Sequence, residues 1–225
     1  MDIISESISY IVNAFGAIEE SVLQVYIERA FDMTKNRAKL QIRNAIGRHI
    51  CKSVKSKEGY DFVTTFFRNE VTGRDIRMSR AIRVALEFIK KGETDFFRDF
   101  TLIGREAPTL LRVILRPDEE SLKRNGKLQA KTIEISYIMK NTEISTSNLL
   151  AQKPVAVSQR PYICRIGVVE TGFCEEKLYR VGYELFIRFG ANRFTFISDD
   201  ILQPTVPADK RWADVPDLLD GTKKQ

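Results

Sequence analysis

Four residues near the middle of the chain have the types and order that metal-assisted phosphodiester cleavage uses. Pro117-Asp118 is followed eleven residues on by Gln129-Ala130-Lys131, and Glu134 lies one strand step further. Carboxylates at Asp118 and Glu134 would hold magnesium, and the Lys131 ammonium would steady the attacked phosphate. Gln129 stands where an acid is more usual. The plainer reading is that Asp118 opens Asp-Glu-Glu-Ser, a run with the composition of an exposed turn. Asp118, Gln129, Lys131 and Glu134 are therefore the catalytic candidates, set against an ordinary loop and strand.

Other chemistries find less. The sole histidine, His49, falls on the predicted buried stripe of a helix, where a packed imidazole is the usual occupant, and a Ser-His-Asp triad has no second histidine to use. His49, Cys51, Cys164 and Cys174 could formally bind zinc, but their spacing matches no finger or ribbon. No G-x-x-x-x-G-K-[ST] loop and no G-x-G-x-x-G occurs, which disfavours nucleotide hydrolysis and dinucleotide redox. No cofactor and no metal is expected.

The strongest signal is one of binding. Between Met33 and Lys57 stand eight bases, Lys35, Arg37, Lys39, Arg43, Arg48, Lys52, Lys55 and Lys57, and no Asp or Glu. Residues 1–32 are net −5 and residues 58–225 net +3, so this one segment exceeds the +6 of all 225 residues. So concentrated a footprint points to a polyanion, most often nucleic acid. Helical periodicity places Ala38, Ile42, Ala45, Ile46 and His49 on the core side and Arg37, Leu40, Gln41, Asn44, Gly47 and Arg48 on the opposite side. Arg, Gln and Asn can pair with guanine and adenine edges, and Leu can touch a thymine methyl. A merely solvated basic face is the alternative.

The elements that position this face precede and follow it. Ile4, Ile8, Ile11 and Phe15 predict a first helix stopped at Gly16. Glu19 and Glu20 open a second, burying Leu23, Tyr26, Ile27, Ala30 and Phe31, and Thr34 or Asn36 can cap the third. Two β-prone runs around Lys57-Glu58-Gly59 then predict a hairpin, with Tyr60, Phe62, Thr64 and Phe66 on one face. Residues 68–78 read as a connector, and Ser79 as the cap of a helix from Arg80 to Lys91. Beyond it the runs 109–115, 131–139, 162–170, 183–189 and 193–198 are rich in β-branched and aromatic residues, with short helices at 145–152 and 174–179. Residues 199–225 hold three prolines and six aspartates, too few apolar side chains to fold alone.

Three helices and a basic hairpin in this order resemble a winged helix-turn-helix over residues 3–67, through the element order, the Gly16-Ala17-Ile18 step and the hairpin after the third helix. The resemblance implies that the third helix enters a major groove, with Arg37, Gln41, Asn44 and Arg48 as base readers and Lys52, Lys55 and Lys57 on phosphates. Residues 117–134 are similar to the PD-(D/E)-x-K nucleases in a Gln-x-Lys form. The whole layout also resembles a family of bacterial proteins of plasmids and conjugative elements, in which a winged helix precedes a small α/β domain. That likeness is carried by RIGVVE (165–170), EEKL (175–178) and YELFIRFGANRFTFIS (183–198). It implies a DNA-linked role, in transcription regulation, replication or transfer, on a mobile element.

The expected fold class is α+β: a winged helix (1–67), a connector (68–78), a small α/β domain with a mixed sheet (79–198) and a tail (199–225). The leading expectation is a non-catalytic double-stranded DNA-binding protein whose DNA-binding residues are Lys35, Arg37, Lys39, Gln41, Arg43, Asn44, Arg48, Lys52, Lys55 and Lys57. A protein partner on the α/β domain or tail, and a homodimer, fit the same layout. The alternatives are a magnesium-dependent nuclease and a protein-docking module. No apolar run of about 18 residues predicts a membrane span, the first residues lack the pattern of a secretory signal, and three scattered cysteines suit a reducing compartment, so the expected location is cytoplasmic.

Overall fold

The computed structural model describes residues 2–102, 109–115, 130–138, 163–169, 185–190 and 193–196. They form an α+β protein in two compact units, Met1–Arg98 and Asp99–Gln225.

The first unit begins with α1 (Ile3–Phe15), whose Asp2 cap accepts the Ser5 amide at 2.9 Å. Ile8, Ile11, Val12 and Phe15 are buried, the stripe that a 3.6-residue period requires. Gly16, at φ 78, ends the helix in a region costly to any residue with a Cβ. A three-residue strand, β1 (Ala17–Glu19), follows, and then α2 (Glu20–Ala30) and α3 (Lys35–Gly47). The hairpin is β2 (Lys52–Lys55) and β3 (Asp61–Thr64), turned at Gly59 with φ 90. The strand order is β1-β3-β2, all antiparallel. With β3 central, Phe62, Val63 and Thr64 are all fully buried, on both faces of the strand.

The fourth helix departs from its expected place. It is α4 (Gly73–Ala85), continued by a 3₁₀ turn over Leu86–Phe88. Thr72 is its cap, with Asp75 returning a bond to the Thr72 amide in a capping box. Ser79, expected to cap, is inside the helix and fully buried, and its hydroxyl accepts the Glu19 amide at 3.0 Å. Helix and following loop pack on the first unit: Tyr26 donates to the Thr94 carbonyl at 2.8 Å, Tyr10 to that of Phe97 at 3.2 Å, and Arg29 pairs with Glu87 at 3.0 Å. Residues 73–98 therefore belong to the first unit, not to a second domain starting at 79.

The second unit is built on a six-stranded sheet in the order β4-β5-β6-β7-β8-β9. These are β4 (Phe100–Leu102), β5 (Thr109–Leu115), β6 (Lys131–Ile138), β7 (Ile163–Val169), β8 (Leu185–Gly190) and β9 (Arg193–Phe196). Pairing is parallel for β6-β7 and β7-β8 and antiparallel elsewhere, a mixed sheet as expected. Five of the strands match the β-rich runs, and β4 is an addition. Ile133, Ile135, Ile166 and Val168 are fully buried. The expected short helices at 145–152 and 174–179 and the tail lie outside the described residues. Among the described residues no helix is long and apolar enough to cross a membrane.

Candidate nucleic-acid interface

Helix α3 is held to its unit by a narrow stripe of Ala38, Ile42 and Ala45, all fully buried. Two of the three are alanines, so the helix sits close on its neighbours and leaves most of its circumference outside. Lys35, Arg37, Lys39, Leu40, Arg43 and Asn44 are exposed and Gln41 is half-buried. Lys35 and Arg37 lie in the first turn, which carries no acid. Cations there oppose the helix dipole, which favours negative charge at an N-terminus. A placement that costs local stability, with no ion pair among the described residues to offset it, is the kind of inconsistency found at functional surfaces.

Two residues assigned by helical periodicity lie beyond the helix. Arg48 is the residue after Gly47, and its guanidinium bonds the Asp2 carboxylate at 2.7 Å. The Ser5 amide chiefly, with the Ser5 hydroxyl and Arg48 adding, holds the Asp2 carboxyl down at about 2. His49 is a correction: it is exposed, not packed in the core, because it adopts φ 59 and the helical period no longer applies to it. Ile46 is half-buried rather than buried.

On the hairpin, Lys55 and Lys57 are exposed, and neither has an ion-pair partner among the described residues. Lys52 is half-buried, donates to the Asn69 side-chain carbonyl and lies 6.0 Å from the centre of the Phe66 ring. Phe66 is not on the inward face of the strand with Phe62. It follows the strand, is 48% exposed, and meets His49 edge to face at 5.7 Å. Its neighbour Phe67 is 96% exposed. Sequence reasoning passed over this pair because Tyr60, Phe62, Thr64 and Phe66 alternate as one strand face, while β3 stops at Thr64.

The catalytic candidates do not assemble among the described residues. Asp118 and Gln129 lie outside them, and Lys131 is the first residue of β6, opposite Leu115. Glu134 is buried, and its two carboxylate oxygens accept from Arg112 at 2.7 Å and Arg165 at 3.1 Å. Three strands thus carry one charged row, Arg112-Glu134-Arg165, in register. Both oxygens that a metal would need already accept from guanidinium groups. No group of three or more His, Cys, Asp or Glu among the described residues could hold a metal ion. Of the formal zinc set, His49 is exposed, Cys51 and Cys164 are fully buried, and Cys174 lies outside the described residues. Burial pushes the Cys51 thiol up to about 11.

Compared with protein-family models, curated proteins and solved structures, the chain matches none.

Proposed function

We propose that the first unit binds double-stranded DNA in the manner of a winged helix, with α3 toward a major groove and the β2–β3 hairpin along the backbone. The observation that carries this reading is α3 itself: an exposed helix, basic from its first turn, with no acid on it and only Ala38, Ile42 and Ala45 fully buried. The order of helices and strands and the β1-β3-β2 sheet support it. Arg37, Gln41 and Asn44 are the base-reading candidates, and Lys35, Lys39, Arg43, Lys55 and Lys57 the phosphate contacts. Arg48 joins them by exchanging Asp2 for a phosphate, and Lys52 is a backbone contact already fixed by Asn69. The second unit serves regulation or a protein partner, and the setting is the cytoplasm, on a mobile element.

Titration of a labelled duplex at several salt concentrations tests the reading. Five to eight phosphates neutralised would give a log-log slope of about −5 to −7. Binding with no salt dependence, or none at all, would remove it.

A further inference from the structure

Phe67 is the most exposed large apolar side chain among the described residues, and it is displayed on a fixed turn. The Arg68 amide donates to the Thr65 carbonyl at 3.1 Å, and the Thr64 hydroxyl donates to the Arg68 carbonyl at 3.1 Å. Arg68 is anchored further by its bonds to the Glu70 carbonyl and to Asp75 in the α4 capping box. Beside Phe67, Phe66 is braced between His49, just past the end of α3, and the Lys52 ammonium. The turn is thus rigid, sits next to the proposed DNA-contacting helix and hairpin, and has polar or cationic neighbours, Thr65, Arg68 and Asn69.

From this geometry we infer that Phe67 is a stacking wedge for an unpaired nucleobase, so that the DNA recognised carries a bulge, a fork or an extruded base beside duplex. A phenyl ring makes no hydrogen bond to a base edge; beyond a thymine methyl, what it offers a base is its faces. In intact duplex both faces of every internal base are already covered, so an exposed ring gains a partner where a base is unpaired or a step is opened. An apolar protein partner would favour a surrounding apolar patch. Here the exposed apolar neighbour is Phe66, with the Lys52 ammonium at its ring, and the residues that follow, Arg68, Asn69 and Glu70, are polar or charged, so the two rings stand at the edge of a basic hairpin and not in a broad apolar patch. The inference rests on the DNA-binding reading and names the substrate class of that same surface.

The test uses the full chain and two duplexes of one sequence, one fully paired and one with a single unpaired fluorescent purine analogue bulged from one strand. Stacking should make the bulged duplex bind about 5- to 150-fold more tightly and should quench the analogue. Phe67→Ala should lose both the preference and the quenching while binding paired duplex as wild type does, and Phe67→Trp should keep both. Equal affinity of the wild type for the two duplexes overturns the inference and leaves duplex binding standing. So does a Phe67→Ala protein that retains the preference, or that loses paired and bulged binding equally. Loss of self-association in Phe67→Ala, seen by sedimentation without change in DNA preference, would assign the ring to a second copy instead. Binding to neither duplex overturns this inference and the proposed function together.

Discussion

The Arg48 guanidinium and the Asp2 carboxylate lie 2.7 Å apart, joining the end of the basic helix to the cap of the first helix, 46 residues earlier in the chain. Both groups are exposed, so the pair adds little to stability, but it decides how Arg48 meets an anion. Asp2→Asn keeps a capping side chain for the Ser5 amide and removes only the charge. Arg48 must leave Asp2 before it meets a phosphate, so Asp2→Asn should raise duplex affinity at low salt without changing the number of phosphates neutralised. An unchanged affinity would place Arg48 away from the DNA. The sign with pH follows from the lowered carboxyl. Its contribution is complete above the ordinary Asp range and is lost as pH falls toward about 2.

Charge reversal on the hairpin should act through phosphate alone. Lys55 and Lys57 are exposed and make no ion pair among the described residues, whereas Lys52 is held by Asn69 and Phe66. Lys55→Glu with Lys57→Glu should therefore weaken all duplexes alike and flatten the slope by about 2, with an unchanged melting temperature. Anisotropy titrations on specific and random duplex measure it, and an unaffected slope would take the hairpin off the DNA.

How far the fold could be read from sequence differs by element for physical reasons. The first helix was legible because Ile8, Ile11 and Phe15 recur at helical spacing and Gly16 stops them. Strand β1 was not, since three residues cannot show an alternation. Helix α4 was displaced because Gly73 reads as a connector, although Thr72-x-x-Asp75 is a capping box in plain sequence. On the candidate interface the exposed cations were legible as charge. His49 and Phe66 were not, because each lies two residues beyond the element whose period was extrapolated to it.

Residues 73–98 complete the first unit, so its autonomous fragment should be 1–98. That fragment should melt cooperatively, whereas 1–67 should not. The shorter piece loses Ser79 from Glu19, Thr94 from Tyr26 and Glu87 from Arg29, and takes Ile76 away from the cluster it forms with the fully buried Ala17 and Phe62. Calorimetry of the two fragments distinguishes them, and a cooperative transition in 1–67 would contradict the assignment.

Alkali should loosen the same unit. Burial raises the Cys51 thiol to about 11 and the Tyr26 phenol to about 12, so both fold as neutral groups. A raised pKa gives stability that is full below the unfolded value and is lost as pH climbs through the folded one. Stability should therefore decline from about pH 9 upward. Thiol labelling of Cys51 near pH 8 should be slow in the folded protein and fast in denaturant. Rapid labelling under native conditions would show that the site opens.

Within α3, Asn44→Ala should reduce discrimination between preferred and random duplex more than it reduces random binding. Asn44 is exposed, two residues from the fully buried Ile42, and it can offer an adenine edge both a donor and an acceptor. Losing that pair should cost on the order of 1 to 3 kcal/mol at one base pair and little elsewhere. Arg43→Ala, a phosphate candidate on the same exposed side, should instead weaken every duplex uniformly. Ile42→Ala is the better structural control than Ile46, which is only half-buried: truncating a fully buried side chain should cost about 2 to 5 kcal/mol of stability and remove all binding at once. A selection over randomised duplexes, run on wild type and Asn44→Ala, would show the affected position as one relaxed base pair. If both proteins, equally folded by melting, select the same sequences with the same affinities, Asn44 does not read a base and the outward face of α3 serves phosphate or protein contacts alone.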